Sequence, residues 1–70
     1  GEIIGILISD VEPKSKAEKS GFQAGDVIIQ IEDIEIKNFA NVEAALKKYN
    51  NKYKRIYVNR YGQTILFVIQ

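Results

Sequence analysis

Residues able to act as nucleophiles or to shuttle protons near neutral pH are scarce in this sequence, which has no histidine and no cysteine in 70 residues. Ser9, Ser15 and Ser20 have no base at a defined spacing, so nucleophilic catalysis has nothing to assemble. Disulfide and thiolate chemistry are excluded, and transition-metal sites lack their soft ligands. The acidic set Glu32, Asp33 and Glu35 could in principle hold a hard cation or divide acid and base roles. Its spacing does not match a calcium loop, and two of the three fall in a tight turn, so we read it as a solvated turn. The segment Gly21-Phe22-Gln23-Ala24-Gly25-Asp26 lacks the Lys-Ser/Thr ending of a phosphate loop and does not lead from a strand into a long helix. Asp26 is expected to accept loop amides. A basic-aromatic cluster, Lys47, Lys48, Tyr49, Lys52, Tyr53, Lys54 and Arg55, has the composition of a single-strand nucleic-acid platform. The competing reading is a helix end with dipole-complementing lysines, then a polar loop, with Tyr49 packed on the core. The overall charge of +1, ten basic against nine acidic residues, favours the second reading.

The elements that must position these residues follow from pattern. Ile3 to Val11 is apolar and β-branched and is stopped by Glu12-Pro13-Lys14, which predicts a buried strand ending in a turn. Ser15-Lys16-Ala17-Glu18 matches a capping box, and Gly21 suits the left-handed end of a short helix over Lys16 to Ser20. Val27 to Ile31 predicts a second strand, Glu32-Asp33 a turn, and Ile34 to Ile36 a short strand. Asn38 is a good N-cap. From Phe39, apolar residues recur at Val42, Ala45, Leu46 and Tyr49, one stripe of a helix that Asn50-Asn51 ends. Arg55 to Arg60 and Gln63 to Ile69 predict a hairpin turning at Tyr61-Gly62.

The length allows one domain with a small core, so a ligand is expected in a surface groove rather than an enclosed cavity. At 46% apolar and 27% charged residues the composition is that of an ordered globular domain. No apolar run approaches a bilayer span, no signal-peptide pattern is present, and no cofactor motif appears. The opening directly on a strand-like run reads as a piece excised from a longer protein. A helix beside a small sheet can accept an extended peptide as an added strand.

From Gly5 through Val11-Glu12-Pro13, the chain resembles a PDZ domain. The resemblance continues through Ser15 to Phe22, Ala24-Gly25-Asp26-Val27-Ile28, and Ile36 to Phe39. The spaced Gly21, Gly25, Asp26 and Ile28 carry most of its specificity. The ending from Asn59 to Gln70 is similar to the last PDZ domain of the Do-like (HtrA) periplasmic serine proteases. Family members usually have Gly at the position of Lys14, Pro at that of Lys16, and Asn-Gly at those of Glu32-Asp33. Their carboxylate-binding loop and peptide-pairing strand normally precede the segment matching Gly5 to Val11, and nothing in Gly1 to Ile4 replaces them.

The resemblance implies an α+β fold, a PDZ-like partial β-barrel or sandwich of about five short strands with two helices, over residues 1–70 as one domain. It implies peptide-binding positions at Phe39, Glu43 and Leu46 on the longer helix, with Ile6 and Ile8 on the strand opposite. Phe39 and Leu46 also lie on the core stripe, where a packing role serves equally. The expected function is recognition of extended or C-terminal peptide segments, or of unfolded-protein segments, by a non-catalytic module of a periplasmic or envelope protease. The catalytic triad of such a protease would lie in another domain. The alternative is an assembly module contacting neighbouring subunits without binding free peptide. Neither nucleic acid nor membrane insertion is expected.

Overall fold

A computed structural model describes residues 3–70. Strand β1 (Ile6–Leu7) leads through a turn to helix α1 (Lys16–Ser20), strand β2 (Val27–Ile31) and strand β3 (Ile34–Glu35). Helix α2 (Phe39–Lys48) and the hairpin of β4 (Lys54–Arg60) and β5 (Gln63–Ile69) complete the order. All pairings are antiparallel, and the sheet runs β1-β2-β4-β5 with β3 beside β2. β1 and β3 therefore share one edge of β2, opposite Val27–Ile28 and Gln30–Ile31 respectively, while β4 takes the other edge. The result is the open α+β architecture, five strands and two helices, that the sequence implies.

The caps form at the expected residues, but the capping box expected at Ser15 is only half made, because Glu18 reaches back to Lys14 and not to the Ser15 amide. The Ser15 hydroxyl accepts from the Glu18 amide at 3.2 Å, and the Glu18 carboxylate accepts from the Lys14 amide at 3.0 Å. Gly21 closes α1 at φ 104°, with Gly21 N–H bonded to the Glu18 carbonyl and Phe22 N–H to that of Ala17. At α2, Asn38 and Asn41 exchange side-chain-to-amide bonds at 3.1 and 3.2 Å. The hairpin turns on Tyr61 (φ 50°) and Gly62 (φ 87°), the two positive-φ positions of a tight primed turn.

Two expectations are corrected. The predicted buried strand Ile3 to Val11 contracts to Ile6–Leu7, and Leu7 is exposed. The reason is local: beyond Leu7 the backbone turns to the α1–β2 loop, where Ile8 N–H donates to Asp26 and the Ile8 carbonyl accepts from Gly25, both at 2.8 Å. On the other side, Gly5 lies so close to β2 that a Cβ there would stand 2.3 Å from the Ile28 carbonyl oxygen. The part of the Gly1 to Ile4 reading that concerns Gly1 and Glu2 lies outside the described residues. The second correction concerns the α2 stripe. Ala45 is fully buried and Val42 half-buried, but Phe39 is 64% and Leu46 47% exposed. The stripe that meets the core is narrower than spacing alone implies.

The core consists of Phe22, Ile31, Ile36, Ala45, Ile56 and Val58, with the Phe22 and Phe67 rings 4.3 Å apart between centroids. Lys14 sits at φ 63°, the left-handed geometry that explains why family members usually place Gly there. Lys14→Gly removes the Cβ strain at the cost of a more flexible unfolded chain, so stability should rise by up to about 1 kcal/mol. A urea midpoint equal to or below that of the parent would contradict this expectation.

Candidate functional site

An open groove of about 200 Å³ lies between the β1 side of the sheet and α2. Ile8, just past β1, lines it together with Val42 and Leu46 of α2, Ile28 and Ile31 of β2, and Ile69 of β5. All residues lining it are apolar, and its floor is continuous with the core. β1 terminates the sheet on this side, so among the described residues its outer edge has no strand partner. Unpaired main-chain groups beside an apolar channel form the geometry that accepts an extended segment as an additional strand.

Leu46 also lines a larger polar recess of about 520 Å³, together with Lys16, Asn50, Asn51, Lys54 and Gln70. In that recess the Lys16 ammonium donates to the main-chain oxygen of Gln70. The apolar groove therefore leads, past Leu46, to a region carrying two lysines.

Of the five binding positions expected from the sequence, the structure brings Ile8 and Leu46 together in the groove. Ile6 packs against the core, while Phe39 and Glu43 sit on exposed α2 positions outside the groove lining. Val42, Ile28 and Ile69 line the groove and were not singled out. Val42 carried a legible signal as the α2 residue four before Leu46, on the same helical face. Ile69 carried none: the hairpin is legible, but the pairing of β4 with β2 that brings the end of β5 to the groove is not.

Six charged residues, Asp26, Glu32, Asp33, Lys48, Arg55 and Arg60, are committed to ion pairs. The Asp26 side chain, only 1% exposed, receives Arg60 Nε at 2.8 Å, Arg60 Nη2 at 2.9 Å and the Gln23 amide at 3.0 Å. The Arg60 hydrogen bonds hold the Asp26 carboxyl below its ordinary value. They outweigh burial, which pushes it up, and the Gln23 amide adds to the lowering. Arg60 also donates to the Gly21 carbonyl at 2.9 Å, tying the end of α1 to β4. The loop-amide role expected for Asp26 is thus present, joined by an ion pair that the sequence did not announce.

Asp33 and Glu35 of the acidic turn are exposed as expected, whereas Glu32 is largely covered. Glu32, at φ 50°, takes the Arg55 main-chain amide and its guanidinium, and Arg55 depresses its carboxyl. Asp33 accepts the Tyr49 hydroxyl and Lys48, which lower its carboxyl in that order. Among the described residues no group of acidic side chains is placed to hold a metal ion. The same contacts break up the basic-aromatic cluster: Lys48 and Arg55 are paired with acids, and Lys54 is buried.

Comparison with known proteins decides the family. The family model described as "PDZ domain" matches residues 7–60. The chain belongs to the PDZ family. As a PDZ domain it is a protein-interaction module and not itself a catalyst. It is 43% identical over 42 residues to the "Probable periplasmic serine protease do/HhoA-like" of Haemophilus influenzae, covering 60% of this chain and 9% of that protein. It is 46% identical over 50 residues to the "E3 ubiquitin-protein ligase PDZRN3" of mouse and of human, covering 70% of this chain and 5% of each relative. The chain thus spans less than a tenth of the length of these curated relatives. No helix among the described residues is long and apolar enough to cross a membrane.

Proposed function

We propose that this PDZ domain captures extended peptide or unfolded-protein segments along the outer edge of β1, with an apolar side chain seated in the groove beside α2. The observation that carries this reading is the coincidence of an unpaired strand edge with a wholly apolar channel. Lys16, exposed beside the adjoining recess, favours a ligand carrying negative charge just beyond its apolar residue, as a C-terminal segment does, in exchange for its contact with the Gln70 main-chain oxygen. Ile8 and Leu46 are the binding residues among those expected from the sequence, and Val42 joins them. The likeness to a Do-like protease supports a regulatory or assembly role within a longer periplasmic or envelope protease, in which this chain is one module. The ubiquitin-ligase relatives support only the broader interaction role.

β1 contributes only two strand residues, so few main-chain bonds are available. Peptides ending in an apolar residue should therefore bind at tens of micromolar or weaker, no better than about −6 kcal/mol. Amide shift mapping should place the response at Ile6 to Ile8 and Val42 to Leu46. Leu46→Glu, at a half-exposed position the fold tolerates, should weaken binding about tenfold, since a carboxylate then faces the ligand's own negative end. Shifts confined to Lys47 to Arg55 would overturn the groove in favour of the basic-aromatic segment.

A further inference from the structure

The sheet has a second open edge, and it differs in kind from β1. β5 runs for seven residues, Gln63–Ile69, and pairs with β4 along its whole length from Arg60↔Gln63 to Lys54↔Ile69. Among the described residues its other edge is paired with nothing. Edge strands are normally protected by brevity, charge, proline or a bulge. β5 has none of these: its sequence, Gln-Thr-Ile-Leu-Phe-Val-Ile, is uncharged and free of proline, and its ladder with β4 is regular. On the sheet face away from the core it exposes Leu66 (50%) and Val68 (59%) in an alternating row with Thr64.

We propose that the free edge of β5 is a homodimer interface, at which two copies of this chain pair their β5 strands antiparallel about a two-fold axis at Leu66. The register follows from the sequence. With Leu66 opposite itself, Thr64 faces Val68 and Ile65 faces Phe67 of the other copy, and Gln63 meets Ile69. Every facing pair is uncharged, so no like-charge contact opposes the symmetric arrangement. The charges nearest the strand are already engaged or withdrawn. Arg60 is held by Asp26, Arg55 across from Val68 is held by Glu32, and Lys54 across from Ile69 is buried. A row of unpaired amides and carbonyls is satisfied by another strand of similar length, and an identical strand meets that need along its full extent. The two peptide grooves would then sit on one continuous sheet, so a ligand carrying two segments gains avidity when its linker spans them.

The test is sedimentation of the intact chain from micromolar to millimolar concentration, with amide hydrogen exchange at both ends of that range. The sedimenting mass should rise toward twice the monomer value, and β5 amides should gain protection with concentration while those of β1 do not. Leu66→Lys should raise the dimer dissociation constant at least about tenfold, because two ammonium groups then meet at the axis. Leu7→Lys on the opposite edge should leave it unchanged. Should Leu66→Lys fail to fold, the exchange data on the parent chain decide alone. A monomer throughout the range, concentration-dependent protection at β1 instead of β5, or a dimer sensitive to Leu7→Lys but not to Leu66→Lys overturns the proposal.

Discussion

Ile31→Ala should lower the free energy of unfolding by about 2–5 kcal/mol, the range for removing a buried aliphatic side chain that leaves a cavity. Ile31 is only 1% exposed and lies at the junction of the fold, paired with Ile34 of β3 and Ile56 of β4. It also faces the floor of the apolar groove, so the void would open toward the site. In a chain this small, whose total stability is at the low end of about 5–15 kcal/mol, the loss takes away much of the folded population. Leu46→Ala is the informative contrast. The helix stripe places Leu46 with the core, but nearly half of it faces solvent, and its truncation should cost about 1 kcal/mol. Urea denaturation of the two variants separates them, and equal costs would show that the core does not centre on β2.

The order of elements was legible because each boundary is marked by a residue with a specific backbone or capping role. Ser15, Gly21, Asn38 and Gly62 all occupy the positions their chemistry predicts, and the hairpin strands are displaced by at most one residue. What was not legible depends on which strands become neighbours. An apolar run such as Ile3 to Val11 looks the same whether it is sandwiched or left at an edge. The lack of the family's preceding strand already implies a free edge at Gly5 to Val11, but only the assembled sheet, with β4 on the far side of β2, shows Leu7 facing out. The site followed the same rule. Ile8 and Leu46 were reachable from the family pattern, whereas Ile28, Ile31 and Ile69 enter the groove only once the sheet has assembled.

Glu32 shows how a departure from the family pattern is accommodated. Family members usually have Asn-Gly here, residues that reach positive φ at low cost, but this chain carries Glu-Asp. Glu32 nonetheless holds φ 50°. Its carboxylate bridges to the main-chain amide and guanidinium of Arg55 on β4, so the strained residue gains partners that Asn-Gly could not supply. Tyr49 and Lys48 do the same for Asp33 from the end of α2. The turn is held by long-range contacts in place of local preference, which a reading of turn residues alone reports as solvated.

The Asp26–Arg60 pair yields the other large effect. Asp26→Ala should destabilise the fold by roughly 2–3 kcal/mol, because Arg60 and the Gln23 amide lose a buried acceptor and the α1–β2 loop loses its tie to β4, while Arg60 itself stays within reach of water. The pair also fixes the acid response. Arg60 depresses the folded-state pKa of Asp26 below the unfolded value of about 3.9, so the folded protein releases this proton more readily than the unfolded chain. The resulting stability is fully present above the unfolded pKa and is lost as pH falls through the folded one. Asp26→Asn, which keeps the shape but never carries the charge, should therefore be less stable than the parent at neutral pH. The gap should narrow steadily below about pH 4, as the parent too becomes protonated. Thermal or urea midpoints of the two proteins between neutral pH and pH 2 measure it. A gap that stays constant across that range would mean the carboxylate contributes through packing and not through its charge.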